Sequence, residues 1–184
     1  MKSLYFVVGV ATLVLTPATA NGAVFSLGGP LSKLCYSAAL SQDSRDQAID
    51  GCSRSLQEEP LAAHDRAATY VNRGILLMTR GQYRGADADF NSALGIDRGL
   101  SDAWLNKGFL RLRTGSGREA LPLLQKGIDA GTNRQALALF ARGVAYEQMG
   151  EFRSAYADLK RAHALEPKWS LPTEYLASYQ VVSR

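Results

Sequence analysis

Cys35 and Cys52 are the only cysteines in the chain, and they admit three chemistries: metal ligation, thiol–disulfide exchange and a structural bridge. Zinc takes four ligands, most often Cys and His. The two histidines, His64 and His163, show no zinc-type spacing to a cysteine or to each other. No C-x-x-C is present, so thioredoxin-like exchange lacks its motif. TGSGRE at 114–119 has neither the Gly-Lys-Ser/Thr ending of a phosphate loop nor the G-x-S-x-G form of a nucleophile elbow. Asp87 and Asp89 stand two apart, and on a helix such residues do not face one another. Nothing assembles a nucleophile, a base and an orienting group. The residue pattern therefore predicts no catalytic residue, no metal and no cofactor.

Compartment decides how thiols behave. Lys2 precedes the apolar run LYFVVGVATLVL, and Pro17 to Ala20 follow with an A-x-A pattern suited to cleavage after Ala20. These are the three parts of a secretory signal peptide over residues 1–20. The run is too short for a membrane span, which needs about 20 apolar residues. The expectation is a periplasmic or secreted protein with no stable membrane insertion after signal cleavage. Removing Lys2 takes the formal charge from +4 to +3, and charges of both signs are interspersed. A nucleic-acid binder clusters Lys and Arg on one face with stacking aromatics between them. That stripe is absent, so no nucleic-acid partner is expected.

Three stretches align: YVNRGILLMTRGQYRGADADFNSALGID from Tyr70, WLNKGFLRLRTGSGREALPLLQKGIDA from Trp104 and LFARGVAYEQMGEFRSAYADLKRAHALEP from Leu139. Gly74, Gly108 and Gly143 recur at 34 and 35 residues, and so do Ala86, Ala120 and Ala155. Phe90, Leu124 and Leu159 keep the same spacing. Within a unit the apolar positions fall at helical spacing on either side of a turn, at Gly81 in the first and Gly150 in the third. Each unit reads as two helices that bury their apolar faces by stacking on neighbouring units. Arg73 and Asp89 lie symmetrically about Gly81, and Arg142 and Asp158 about Gly150, so each pair is expected to meet across its hairpin. The second unit has Lys107 opposite Leu123 and lacks the pair.

At these residues the chain resembles the tetratricopeptide repeat (TPR) family over 67–100, 101–135 and 136–169. The third unit carries the motif best, with Leu139, Gly143, Tyr146, Ala155, Leu159, Ala162 and Pro167. The first has Arg98 in place of the closing proline. The second has Arg111 and Gly127 at motif positions 11 and 27. The resemblance implies an all-α helix-turn-helix solenoid, a right-handed superhelix. The segment 170–184 is expected to be a C-terminal capping helix, with Leu171, Tyr175, Leu176, Tyr179 and Val182 at helical spacing and Pro172 in its first turn.

Upstream, Tyr36, Ala48, Cys52 and Pro60 keep the motif's offsets, so 29–62 is expected to be a degenerate TPR-like hairpin. About four extra residues then fall within 61–66, where Asp65 is a candidate N-cap. In this frame Cys35 and Cys52 sit at one height on opposing helices. A disulfide is the natural outcome in an exported chain.

In the resembled family the first helix of each unit lines a concave groove. Carried over, the candidate partner-binding groove comprises Val71, Asn72, Ile75, Leu105, Asn106, Phe109, Phe140 and Val144. Asn72 and Asn106 both fall at motif position 6, where a carboxamide donates to and accepts from a peptide backbone at once. Ala141 cuts that ladder to two rungs. The carboxylate clamp of chaperone-binding members of the resembled family needs basic residues along this groove, and Val71, Leu137 and Ala141 stand at places it would use. The expected ligand is therefore an apolar peptide or amphipathic helix of another protein. The functional expectation is a non-catalytic interaction module or scaffold. Its alternatives are an accessory or regulatory subunit of a cell-envelope enzyme or assembly, or a hydrolase.

Overall fold

The computed structural model describes residues 4–8, 22–26 and 28–183. The remainder of the expected signal segment, including the cleavage site at Ala20, lies outside the described residues. Among the described residues the chain forms nine helices: α1 (Pro30–Ser41), α2 (Asp46–Glu58), α3 (Ala63–Thr79), α4 (Tyr83–Ile96), α5 (Ser101–Arg113), α6 (Gly117–Asp129), α7 (Gln135–Gln148), α8 (Phe152–Leu165) and α9 (Ser170–Ala177). Successive helices pack as antiparallel hairpins, each stacked on the next, which makes an all-α solenoid.

The repeated residues explain the hairpins. Ala86, Ala120 and Ala155 are fully buried, as are Phe90, Leu124 and Leu159. A Cβ built on Gly74 would lie 2.5 Å from the Phe90 ring, and one on Gly108 would lie 2.6 Å from Leu124. The motif glycine thus leaves the hollow that the large residue of the partner helix fills, and glycine and large residue recur together for that reason. At the turns, Gly81 and Gly150 have φ of 80° and 75°. In both, the two amides after the helix end bond back to its last turn: Gly81 and Gln82 to the Met78 and Leu77 carbonyls, Gly150 and Glu151 to the Glu147 and Tyr146 carbonyls. This is the Schellman pattern, which needs a left-handed residue. TGSGRE also falls at a turn: Thr114 to Ser116 join α5 to α6, with Gly115 at φ 73°.

The charge pairs close across their hairpins. Arg73 donates from Nε and Nη2 to Asp89 at 2.8 and 2.7 Å, and Arg142 to Asp158 at 2.6 and 2.8 Å. Both carboxylates are buried, and the fork-to-fork geometry fixes helix rotation as well as separation. In the second unit, Arg111 instead bridges Asp87 of the preceding unit at 2.8 Å and Glu119 at 3.1 Å.

At the N-terminal end, Cys35 and Cys52 form a disulfide between α1 and α2, both sulfurs buried. Glu59 closes the same hairpin, accepting from the backbone amides of Leu31 and Ser32 at 2.8 and 3.0 Å and so capping α1 from a distance. Asp65 is not the N-cap of α3. That helix starts four residues ahead of the repeat frame, with Ala62 at the cap, so Asp65 lies inside the first turn. There its carboxylate serves Ser26 instead.

The last helix is shorter than the apolar spacing suggests. It ends at Ala177, and Tyr179–Ser183 is a strand, β2, antiparallel to β1 (Leu4–Val8), with Val8 opposite Tyr179 and Leu4 opposite Ser183. Tyr, Gln, Val, Val and Ser favour an extended chain once the helix has stopped, because β-branched and aromatic side chains lose least freedom there. The cap also reaches further than the outer face of α8. Trp169, tilted, and Tyr175, edge-on, both pack against Phe140 of α7, with ring centroids 5.0 Å apart in each case.

Candidate functional groove

The helices that open each unit, α3, α5 and α7, carry the eight groove candidates. Val71, Asn72 and Ile75 lie on α3, Leu105, Asn106 and Phe109 on α5, and Phe140 and Val144 on α7. All eight are buried. Phe140 is covered by the C-terminal cap, as above. Over α3 and α5, the cover comes from the chain itself.

Gly22 to Ser26 lie across the concave face with no regular secondary structure. The Val24 amide donates to Asn72 Oδ1 and Asn72 Nδ2 donates to the Val24 carbonyl, both at 2.8 Å. One side chain thereby satisfies both main-chain groups of one residue, as a neighbouring strand would. Asn106 Nδ2 donates to the Gly22 carbonyl at 3.2 Å and also to the Asp102 carbonyl one turn back at 2.8 Å. Arg134, just before α7, donates from Nη2 to the Ala23 carbonyl at 3.3 Å. Beyond Val24 the chain turns its side chains to the first units: Ser26 Oγ donates to Asp65 at 3.1 Å and Phe25 meets Tyr36 edge-on at 5.4 Å. The segment thus runs from the second unit back toward the first and the degenerate hairpin, against the order of the repeats.

The two asparagines behave as main-chain ligands, and both are fully buried. A bare carboxamide at that depth costs a few kcal/mol without partners. Val24 supplies both partners to Asn72. Asn106 is half satisfied, since its Oδ1 accepts no hydrogen bond among the described residues. Beside it, burial pushes the Asp102 carboxyl above the usual range, an effect that Arg134, with Nε at 3.7 Å, opposes. Side-chain room is graded along the segment. A Cβ on Gly22 would stand 2.8 Å from Asn106 Nδ2 and 3.0 Å from Asp102 Oδ1, so glycine alone fits undisturbed. Ala23 and Val24 are 5% and 8% exposed, whereas Phe25 is 57% exposed.

Sequence reasoning located Asn72 and Asn106 but left 21–28 without a role, and it missed Arg134. The segment has no helical period, and no spacing rule connects it to residues 48 and 84 positions away. The one local signal is Gly-Ala-Val, three residues of rising size at the start of the chain that export would leave behind.

Away from the groove, a shallow concavity of about 590 Å³ lies on the outer side of α1 and α2, lined by Leu31, Leu34, Ala38, Ala48 and Arg54 among others. Among the described residues, no three or more His, Cys, Asp or Glu side chains gather as a metal site would require, and no helix is long and apolar enough to cross a membrane.

Stacked helical hairpins, with two buried asparagines facing the backbone of an extended segment, define the class of fold, an all-α repeat solenoid. Residues 136–169 match the tetratricopeptide repeat family model, and the hairpins ahead of them stack in the same all-α solenoid fold. That fold is shared by solved structures of low identity. A MamA RS-1 ArsTM double mutant superposes with a TM-score of 0.64 at 22% identity, over 80% of this chain and 82% of that one. The second TPR domain of human RPAP3, solved in complex with the HSP70 peptide SGPTIEEVD, gives 0.58 at 21% identity, over 63% of this chain and 96% of that one. The Arabidopsis OM64 TPR domain gives 0.59 at 17%, over 63% and 95%. No curated protein matches by sequence.

Proposed function

We propose that the chain is an exported, non-catalytic protein-interaction module whose concave groove holds an extended segment of a partner protein by its main chain. The observation that carries this reading is the two-way bond between the Asn72 carboxamide and the Val24 backbone. The same fold in RPAP3 holds a peptide, which supports the class of ligand. An extended strand suits the groove better than an amphipathic helix. A helix keeps its backbone groups to itself and would leave Asn72 unpaired and Asn106 with only its bond to the Asp102 carbonyl. Export is supported by the signal-type N-terminus and by the buried disulfide, since such bonds persist in oxidising compartments.

The test has two parts. N-terminal sequencing of the protein recovered from the cell envelope or medium should begin at Asn21. Purified protein used as bait on an envelope fraction should retain a partner that is lost in the Asn72→Ala, Asn106→Ala, Phe109→Ala triple variant while circular dichroism stays helical. Retention of that partner by the folded triple variant removes the groove from the reading.

A further inference from the structure

We infer that the groove is auto-occupied: Gly22–Ser26 is a ligand held in cis, and an external partner must carry a similar Gly, small, apolar segment and displace it. This rests on the groove being the partner site. Three features separate a ligand from ordinary packing. First, the anchoring is to main chain, through Asn72, Asn106 and Arg134 on three different elements, so the site does not depend on the segment belonging to this chain. Second, side-chain selection is confined to small sockets. A Cβ on Gly22 would press on the Asn106 carboxamide and the Asp102 carboxylate, and Ala23 and Val24 are enclosed, while Phe25, edge-on to Tyr36, stays more than half exposed. Third, the segment lies immediately ahead of α1, joined to it only through 27–29, and it forms none of the helices that hold the solenoid together. It can leave without unmaking a hairpin.

The consequence is quantitative. A short tether holds its ligand at a roughly millimolar effective concentration, so a free peptide of about 10 µM intrinsic affinity is weakened about 100-fold by the resident segment. Partner binding is then gated by release of the N-terminal segment, and proteins that offer a better Gly-Ala-Val-like strand are selected over generic apolar chains.

The test uses the whole chain as the cell processes it, and a fluorescein-labelled synthetic peptide, NGAVFSLG, as probe. Release in cis is forced by Gly22→Leu with Val24→Pro, which fills the glycine socket and removes the amide that Asn72 accepts. Anisotropy titration should show the released variant binding the probe about 100-fold more tightly than the unaltered chain. Adding Asn72→Ala should abolish the gain, and a probe with leucine in place of its first glycine, the one that matches Gly22, should not bind. A released variant that is helical, keeps its disulfide and binds no more tightly than the unaltered chain overturns the proposal. So does a gain that survives Asn72→Ala. Independently of those variants, the Val24 amide of the unaltered chain should exchange slowly with deuterium and become fast on Asn72→Ala; fast exchange in the unaltered chain overturns occupation. A stable dimer of the unaltered chain that the release substitutions dissociate would seat the segment in a second copy and overturn occupation in cis. An envelope partner that binds the unaltered and released chains equally, yet depends on Asn72, refutes auto-occupation and leaves the groove reading intact. Absence of any Asn72-dependent partner, with the probe behaving as expected, does the reverse.

Discussion

Reduction of the Cys35–Cys52 bond gives a perturbation whose size and location both follow from the structure. The bond joins residues 17 apart in sequence, and closing a loop of that length removes about 3 kcal/mol of chain entropy from the unfolded state. In a solenoid each unit is stabilised mainly by itself and its neighbours, so the loss should stay local. The degenerate hairpin meets the rest through α3, with Arg66 donating to the Leu56 carbonyl at 2.8 Å and Arg73 to Ser53 at 3.0 Å. Among the described residues no helix packs on its other side. Hydrogen exchange read by mass spectrometry, before and after reduction with dithiothreitol, should therefore show α1 and α2 exchanging about a hundredfold faster, tenfold for each 1.4 kcal/mol. Amides of α7 and α8 should be unchanged. Reduction keeps both sulfurs in place, so no cavity confuses the reading; a Cys35→Ala, Cys52→Ala variant, which does leave one, should exceed the effect. A change below threefold in α1 and α2, or an equal change in α8, would refute the argument that the bond staples one terminal unit.

Other outcomes test other parts of the frame. Gly74→Ala places a methyl 2.5 Å from the Phe90 ring and should cost about 1–3 kcal/mol in urea denaturation. Gly51→Ala, inside α2 with nothing within 4 Å of its new methyl, should instead gain about 0.5–1 kcal/mol. Asp89→Asn leaves the Arg73 guanidinium with half of its fork partner; because Arg73 keeps some solvent contact, the loss should be near 2 kcal/mol rather than the larger figure for a fully buried pair. Burial raises the Glu147 carboxyl above its ordinary value. Its folded pKa therefore exceeds the unfolded one, and its charge destabilises the fold progressively as pH rises through that window. Glu147→Gln should accordingly match the unaltered chain in thermal midpoint below pH 4 and exceed it at pH 7.

What the sequence disclosed and what it hid divide along a physical line. The period of 34 to 35 residues, the glycine and large-residue pairs, the Arg73–Asp89 and Arg142–Asp158 bridges and the cysteine staple are all readable because each joins residues within one hairpin, where helix geometry converts sequence spacing into distance. The cap is the intermediate case. Tyr175 was legible as an apolar helical position and packs on Phe140, but the helix ends at Ala177 because the local preference of Tyr179 to Ser183 for extended chain overrides the continuing apolar spacing. The groove is the opposite case. Asn72 and Asn106 are visible as a repeated carboxamide, but their partners are the backbone atoms of Val24 and Gly22, and backbone atoms leave no signature in residue types. A period-based reading finds the wall of a binding site and is blind to an irregular segment lying against it. The burial of two polar amides supplies the missing constraint: asparagines at the mouth of an open groove would hydrogen-bond to water, whereas asparagines with no exposed surface require a main chain to be present. In this solenoid the polarity of the wall therefore records the shape of its occupant.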